Sequence, residues 1–368
     1  MLIIKASRDA LLKPLQSVTG IVERRHTLPI LSNVLIETRG DQLSFLATDL
    51  EIQIQAHATL DKAKADGSLT LSAKKLQDIL RALPDNVDVT LDEKDNRVTV
   101  KAGRSRFNLQ SLPAADFPRL TPGSAATAKV EIPQKALKQL FNLVQFAMAV
   151  QDIRYYLNGL LLSIEGSTLR VVATDGHRLS YAASALASPA AKLDVILPRK
   201  TVTELSKLLE DSDDPVIVEI RENQVMFSFA GVVVVSKVVD GKFPDYTKVI
   251  PTSYEKQIKL DRQALQQALQ RAAILSNEKI RGVRLVLTKD ALSIICTNNE
   301  QEEAEEELAI EYSAEPLDIG FNINYLLDVL NHVDGSQVEI ALGDANSSAL
   351  ITIPGHGDFK YVVMPMRI

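Results

Sequence analysis

The sequence has little of several residue types. Of its 368 residues only Cys296 is a cysteine, and none is a tryptophan. A single cysteine excludes a disulfide within the chain and fits a reducing compartment. The longest uncharged apolar stretch, 224–236, is shorter than the roughly 18 to 20 residues of a membrane helix, and the apolar start MLII is too short for a signal sequence. We therefore expect a soluble cytoplasmic protein with no membrane partner.

Signatures of catalysis and of metal binding are also missing. The sequence contains no G-x-S-x-G elbow, no Walker loop and no H-E-x-x-H motif. Its five histidines are too scattered for the spacing of a local metal site, at His26, His57, His177, His332 and His356. We expect no metal and no cofactor.

An internal repeat organises the chain. LATD at 46–49 recurs as VATD at 172–175, and the same offset of 126 carries Phe117-Pro118 to Phe243-Pro244. A third, more divergent copy aligns ALSIICTNNE at 291–300 with TLRVVATDGH at an offset of 123. Each copy reads as an opening strand, a helix, paired strands, a second helix and further strands, which is an α+β unit. The sequence predicts three similar domains, 1–122, 128–251 and 252–368, each with two helices packed on antiparallel sheets.

Positive charge is concentrated in the predicted helices, although the net charge of the whole chain is negative. The net charge of −6 argues at first sight against a nucleic-acid partner. Basic side chains nevertheless exceed acidic ones by six over the predicted helices, 8–25, 72–83, 134–149, 198–210, 261–278 and 321–332. A basic helical lining separated from an acidic exterior suits a surface that follows phosphates. The simpler interpretation, that helices often carry lysine and arginine, remains open at this point.

The stretch ATDGHRLS at 173–180 resembles an active site because it combines Asp175 with His177. A catalytic pair of this kind needs a positioned nucleophile or a metal, and the sequence signals neither. The first copy of the repeat contains ATDLE in the same place, which indicates a strand end and a turn. We predict a pocket wall in a binding surface, with a small hydrolase using Asp175 and His177 as the alternative.

Two charged segments lie far apart in the sequence. NNEQEEAEEEL at 298–308 holds six glutamates, and RVTVKAGRSRF at 97–107 carries four basic residues. Complementary patches of this kind suggest head-to-tail association into rings or filaments, although solvated strand edges are the more common explanation of such runs. The apolar C-terminus, YVVMPMRI, is either a closing strand or the lip of a hydrophobic groove.

Several motifs together resemble one known family over essentially the full length. TLPILSN, TDLE, GRSRFNLQSLPAADFP, QDIRYYLNG, ATDGHRL, DGKFPDY and YVVMPMRI are similar to the bacterial sliding clamps, the beta subunits of DNA polymerase III. The resemblance implies a DNA clamp fold of three similar domains, with two chains closing head to tail into a ring. It implies a non-catalytic processivity factor that encircles duplex DNA without sequence specificity and tethers the replicative polymerase. The clamp loader, other polymerases and repair proteins would bind through short hydrophobic peptides. A scaffold with no nucleic-acid role is the remaining alternative.

The resemblance also implies three sets of site residues. The DNA-facing positions are Arg25, Lys74, Gln151, Tyr155 and Tyr156. The partner-peptide cleft, between domains 2 and 3, is Leu157, Thr174, Gly176, His177, Arg178, Leu179, Pro244, Lys248, Val249, Val362, Met364, Pro365, Met366 and Arg367. The subunit contact sets Lys75, Arg97, Arg104, Arg106, Phe107 and Leu109 against Ile274, Leu275, Glu300, Glu302, Glu303 and Glu306. Lys74 and Lys248 stand where some relatives have arginine, and Ile368 replaces a terminal leucine.

Overall fold

A computed structural model describes residues 2–23, 27–60, 66–121, 123 and 125–368. The chain divides into two compact units. The first comprises Met1–Lys135 with Thr203–Val238, and the second comprises Ala136–Val202 with Val239–Ile368. Each unit is therefore assembled from two separate stretches of the sequence.

The order of strands and helices repeats three times. The first third contains β1 (Ile3–Ser7), α1 (Arg8–Thr19), β2 (Asn33–Arg39), β3 (Gln42–Thr48), β4 (Ile52–Thr59), β5 (Gly67–Ser72), α2 (Ala73–Ala82), β6 (Asp88–Lys94), β7 (Arg97–Ala102) and β8 (Ser105–Gln110). The second contains β9 (Ala128–Pro133), α3 (Gln134–Val144), β10 (Gly159–Thr174), β11 (Arg178–Pro198), α4 (Arg199–Leu208), β12 (Pro215–Ile220), β13 (Gln224–Phe229) and β14 (Val232–Lys237). The third contains β15 (Lys256–Asp261), α5 (Arg262–Ala272), β16 (Gly282–Thr288), β17 (Ala291–Thr297), β18 (Glu303–Ala309), β19 (Leu317–Asn322), α6 (Ile323–His332), β20 (Gln337–Leu342), β21 (Ala349–Ile353) and β22 (His356–Val363). Two helices per third among antiparallel strands is the α+β unit that the repeat predicts.

The helices begin where the sequence predicts, but several end earlier. Ser7 caps α1 by accepting a hydrogen bond from the amide of Ala10, and Asp261 caps α5 through the amide of Ala264. The apolar spacing predicts a helix as far as residue 149, whereas α3 ends at Val144 and a 3-10 turn follows. Ala147 and Met148 are buried in and after that turn. Helical periodicity alone therefore cannot tell the last turn of a helix from a buried loop.

Pro14 lies inside α1, where the sequence predicts a bend or a delayed start. The helix begins at Arg8, six residues before the proline, so its start is not delayed. Pro14 is buried with Leu11, Leu15 and Val18. Its ring therefore contributes to the apolar face of α1.

The first unit contains two antiparallel sheets. The strand order is β1-β6-β7-β8 in one and β5-β2-β3-β4-β14-β13-β12-β9 in the other. The larger sheet joins the first and second thirds because β4 pairs with β14, which places Ile54 opposite Val234. The smaller sheet ends on β8, so this basic strand forms an edge.

The second unit also contains two antiparallel sheets, ordered β10-β11-β22-β21-β20-β15 and β18-β17-β16-β19. The pairing of β11 with β22 joins the second third to the third and sets Leu179 opposite Val362. The C-terminal segment is thus a closing strand as far as Val363, and residues 364–368, here called the tail, extend beyond it. The glutamate-rich β18 lies at one edge of its sheet and β19 at the other. No helix in the described part of the chain combines the length and the apolarity needed to cross a bilayer.

Candidate functional site

An apolar cluster lies where β11 meets β22 in the second unit. Its buried residues, here called the cleft cluster, are Leu161, Val172, Leu179, Ile196, Phe243 and Val362. The half-buried side chains that pack against it are mostly aromatic or branched: Tyr156, Tyr181, Val239, Tyr246, Ile250 and Leu350. Burial raises the pKa of Tyr246, so its hydroxyl stays neutral and adds no charge to the cluster. The cluster contains Leu179 and Val362 of the predicted cleft, and half-buried aromatic side chains edge it.

The turn at residues 174–178 forms one margin of this cluster. The Thr174 hydroxyl donates to the carbonyl of Arg178 (2.6 Å) and accepts from the amide of Gly176 (3.0 Å). Asp175 Oδ1 accepts from the amides of His177 and Arg178 at 2.9 and 3.1 Å. Gly176 has φ +90°, a conformation that side chains other than glycine rarely adopt. Asp175 therefore shapes a tight turn, which is a structural role.

Arg178 holds this turn to helix α6. Its Nε donates to Asp175 Oδ2 (3.1 Å), its Nη1 to Asp328 Oδ2 (2.5 Å) and its Nη2 to the carbonyl of Phe146 (2.8 Å). The guanidinium also lies over the ring of Tyr325, 4.4 Å from the centroid. The side chain is only 10% exposed. We call this network the Arg178 clasp. Arg178 is a predicted cleft residue, and the clasp binds its guanidinium to other groups of the same chain.

The tail forms a second margin of the cluster. The amide of Met364 donates to the carbonyl of His177 (2.9 Å), and the amide of Met366 donates to the carbonyl of Gly320 (2.8 Å). Met364 is 48% exposed, whereas Pro365 and Met366 are half-buried. The structure thus brings the tail against the 174–178 turn, as the predicted cleft requires.

The other predicted cleft residues lie at and near the cluster. Phe243 belongs to it, and the next residue, Pro244, is exposed. Val249 is 45% exposed, and Lys248 is exposed and pairs with Asp245 at 3.1 Å. Leu157 is buried at the end of a 3-10 turn. The segment from 243 to 250 therefore offers both an apolar surface and an exposed cation.

Gln151, Tyr155 and Tyr156 share a loop that hydrogen bonds hold in one shape. The Asn158 side chain accepts from the amide of Asp152 (2.8 Å) and donates to its carbonyl (2.9 Å). Hydrogen bonds from Arg154 hold the pKa of Asp152 down at about 2. Gln151 is exposed and has φ +55°, which fixes the tip of the loop. Tyr155 is 57% exposed.

Some basic side chains on the helices form ion pairs with acidic side chains, which a count of charges over the helices alone does not show. Lys135 of α3 pairs with Asp213 at 2.7 Å, and Lys74 of α2 pairs with Asp78 at 2.8 Å. Exposed ion pairs are weak because water screens them, so both ammonium groups can exchange these partners for phosphates. Arg25 lies outside the described residues.

The predicted subunit-contact residues lie mainly on two edge strands. On and beside β8, Arg97, Arg104 and Arg106 are exposed and Phe107 and Leu109 are half-buried; Lys75 on α2 is also exposed. Glu300, Glu302 and Glu303 are exposed at the start of β18, and Ile274 beside the half-buried Leu275 is 78% exposed after α5. Glu306 differs because both of its carboxylate oxygens accept hydrogen bonds from Arg271, at 2.8 and 2.5 Å, and this contact lowers its pKa.

Comparisons with known proteins match this arrangement from end to end. The N-terminal, central and C-terminal domains of the DNA polymerase III beta subunit match residues 2–121, 131–245 and 247–367. Proteins named beta sliding clamp are 48% identical over 362 residues in Pseudomonas aeruginosa and 44% identical over 361 residues in Escherichia coli, each covering 98% of both chains. A crystal structure of the DNA polymerase III subunit beta from Pseudomonas aeruginosa superposes with a TM-score of 0.97 at 47% identity, covering 100% of each chain.

The chain belongs to the DNA polymerase III beta subunit family. It has the three-domain clamp fold of that family, and the family's subunit is not catalytic. A further relative from Pseudomonas aeruginosa, with a TM-score of 0.97 and 47% identity over the whole of both chains, is a sliding clamp bound to griselimycin.

The family's domain matches locate the cleft cluster. Leu179 lies in the central domain and Val362 in the C-terminal domain, so both domains contribute residues to the cluster. The Arg178 clasp crosses the same boundary because Tyr325 and Asp328 lie in the C-terminal domain. The clasp and the β11–β22 pairing together join the central domain to the C-terminal domain beside the cluster.

Replacing Arg178 with methionine is expected to destabilise this junction. The change keeps an apolar stem but leaves Asp175 and Asp328 without their cation, at a cost of about 2 kcal/mol because Asp328 is partly exposed. The melting temperature should fall by several degrees. Arg170→Met, which removes an exposed pair with Glu165, is the matched control and should have little effect. Equal melting temperatures for the two variants would show that the clasp stabilises no more than a surface pair.

Sequence reasoning missed Arg154, which lies over the 174–178 turn. Its Nη2 donates to the carbonyl of Asp175 (3.3 Å), and a methyl group added at Gly176 would lie 3.0 Å from its guanidinium. Tyr181 and Tyr246 were also missed. The Phe243-Pro244 repeat marked that segment of the cleft, but no local pattern marks Arg154.

Proposed function

We propose that this chain is the processivity factor of a replicative DNA polymerase, a sliding clamp that encircles duplex DNA without reading its sequence. Its domains would be 1–122, 128–251 and 252–368, and two chains would close head to tail into a ring in the cytoplasm. The observation that carries the proposal is that the three domains of one clamp family fill the chain in order. The repeated strand and helix order of the structure supports it.

The proposed DNA contacts are few and exposed. They are Arg25, Lys74, Gln151, Tyr155 and Tyr156. Lysine and arginine attract phosphates without regard to sequence, and a glutamine or tyrosine side chain can hydrogen bond to the backbone of the duplex. Weak contacts of this kind allow sliding, while the closed ring prevents dissociation.

The proposed peptide site is the cleft cluster with its two margins. The polymerase subunit, the clamp loader, and other polymerases and repair proteins would each insert a short hydrophobic peptide there. The site comprises Leu157, Thr174, Gly176, His177, Arg178, Leu179, Pro244, Lys248, Val249, Val362, Met364, Pro365, Met366 and Arg367, with Arg178 acting by positioning the turn. Griselimycin would occupy the same cleft. Tethering raises the local concentration of polymerase at the DNA, so rebinding outpaces escape.

The proposed subunit contact pairs the edge of β8 with the edge of β18 of a second copy. An exposed strand edge is a template for pairing with another chain, and these two edges carry opposite charges. Lys75, Arg97, Arg104, Arg106, Phe107 and Leu109 would face Ile274, Leu275, Glu300, Glu302 and Glu303, while Glu306 would join them through its pair with Arg271. A head-to-tail contact of this type closes into a ring if the rotation allows it.

Loading onto DNA tests the proposal directly. The labelled protein is loaded by the clamp loader onto nicked circular DNA and then challenged with high salt. We expect it to remain bound, because topological linkage does not depend on phosphate contacts. Cutting the circle with a restriction enzyme should then release it from the free ends.

A sample loaded on linear DNA from the start provides the control and should retain little protein. Equal, salt-sensitive loss from circular and linear DNA would indicate ordinary electrostatic binding, and the clamp proposal would fail.

A further inference from the structure

The tail is attached at two points on two different sheets. Met364 donates its amide hydrogen to His177, which precedes β11, and Met366 donates to Gly320 of β19. The residue between them, Pro365, has no amide hydrogen to satisfy. Both amide hydrogens of residues 364–366 are therefore hydrogen-bonded, so the backbone is held on either side of Pro365.

Gly320 is suited to the second attachment because it lacks a side chain. It pairs with Arg284 of β16 on one side of β19, and its carbonyl accepts from Met366 on the other. A methyl group added at Gly320 would lie 2.5 Å from the carbonyl oxygen of Met366 and 2.7 Å from Cδ1 of Ile368. The first contact is with backbone, which cannot rotate away. The glycine therefore allows a close approach of two backbones.

Ile368 extends this attachment to the neighbouring strand. A methyl group at Gly282 of β16 would lie 3.0 Å from Cδ1 of Ile368, so the end of the isoleucine side chain lies over Gly282 as well as Gly320. All three nearest atoms at Gly282 belong to the Ile368 side chain, Cδ1, Cγ1 and Cγ2 at 3.0 to 3.3 Å, and none of them is backbone. Gly320 thus forms the seat of the tail, because of the two glycines only Gly320 is closed to a side chain by backbone.

We propose that Gly320 is a positioning residue for the peptide cleft: by seating Met366 and Ile368 it fixes Met364 and Pro365 as a preformed cleft wall. This inference rests on the proposed peptide-binding function and names the residue that sets the geometry of the site. A wall that is already ordered loses less conformational freedom when a peptide binds. A side chain at position 320 displaces the tail and makes each binding event order it again.

The experiment compares two matched glycine variants in the full-length protein. The probe is a fluorescein-labelled short hydrophobic peptide from the replicative polymerase subunit, and its binding is followed by fluorescence anisotropy and stopped flow. Gly320→Ala is expected to weaken binding roughly tenfold or more, mainly through faster dissociation. Gly282→Ala, whose added methyl meets the Ile368 side chain but no backbone atom, should stay within about twofold of the original affinity.

A second readout follows the tail itself. Carboxypeptidase should release Ile368 and Arg367 faster from Gly320→Ala than from Gly282→Ala, because a displaced tail is more accessible. Native mass and melting temperature should remain the same for both variants. Ile368→Ala removes part of the seat without adding bulk, and it should weaken peptide binding roughly threefold even if Gly320→Ala proves unstable.

The outcomes separate this inference from the function on which it rests. If the unmodified protein does not bind the peptide, the proposed cleft is wrong. If it does bind, but a folded Gly320→Ala variant keeps its affinity and its resistance to carboxypeptidase, the positioning role of Gly320 is wrong while the cleft stands. Unchanged affinity in Ile368→Ala would overturn the proposal in the event that Gly320→Ala does not fold.

Discussion

Two oppositely charged variants are expected to be monomers alone and to form a dimer when mixed. The first carries Arg104→Glu and Arg106→Glu beside and on β8, and the second carries Glu303→Arg and Glu305→Arg on β18. All four side chains are exposed. Glu303 and Glu305 are two residues apart on β18 and so share a face of that strand, whereas Arg104 lies in the turn before β8 and Arg106 lies on β8. The substitutions therefore change the charge of the proposed edges without removing core residues.

The head-to-tail arrangement makes this exchange specific. A ring of two identical chains contains the β8–β18 contact twice. In the first variant both contacts set acid against acid, and in the second both set base against base. In a mixed ring the acidic β8 edge of the first variant faces the basic β18 edge of the second. At the other contact the basic β8 edge of the second variant faces the acidic β18 edge of the first. Both contacts are then restored at once, which an isologous dimer that does not join β8 to β18 would not achieve.

Like charges at close range across an interface cost several kcal/mol, which corresponds to about a thousandfold or more in the dissociation constant. Native mass spectrometry at micromolar concentration should therefore show monomer for each variant and dimer for the equimolar mixture. Lys256→Glu with Lys259→Glu, on the edge strand β15, is the matched control and should remain dimeric. Dimers of either charge variant alone would exclude the proposed edge pairing.

Local sequence patterns predicted the repeated unit well. A helix was predicted at 134–149, and Leu137, Phe141 and Val144, which have helical spacing, are fully buried on α3. The repeat offset predicted that the order of strands and helices recurs along the chain, and it does. These features depend on residues within one helical turn or one strand, so the sequence displays them directly.

Contacts between residues that are far apart in the sequence could not be predicted from such local patterns. Arg178 and Asp328 are 150 positions apart, and Lys135 and Asp213 are 78 apart. No spacing rule links such pairs, because the sheet pairing of β11 with β22 brings the first pair together. The resemblance to clamps placed Arg178 at the cleft, but only the structure shows that its guanidinium is occupied by Asp175, Asp328 and the Phe146 carbonyl.

Deleting the tail, residues 364–368, is expected to abolish binding of the polymerase peptide. The deletion removes the exposed Met364 and the half-buried Pro365 and Met366, which form one margin of the cleft cluster. The loss of this wall should weaken binding by at least about a hundredfold, the scale of a few central apolar contacts. β22 ends at Val363, so its pairing with β11 and the cluster residue Val362 remain.

The dimer should survive the same deletion, because the tail attaches to β19, whereas the proposed subunit contact uses β18 at the opposite edge of that sheet. Fluorescence anisotropy with the labelled polymerase peptide measures the first effect, and native mass measures the dimer. Competition with griselimycin, which a relative binds, tests whether the proposed cleft of this chain takes the same ligand. Ile368→Ala provides the control, since it keeps the margin and loses only part of the seat. Undiminished peptide affinity in the deletion variant would exclude the tail from the cleft, and a monomeric deletion variant would mean that the tail also supports the subunit contact.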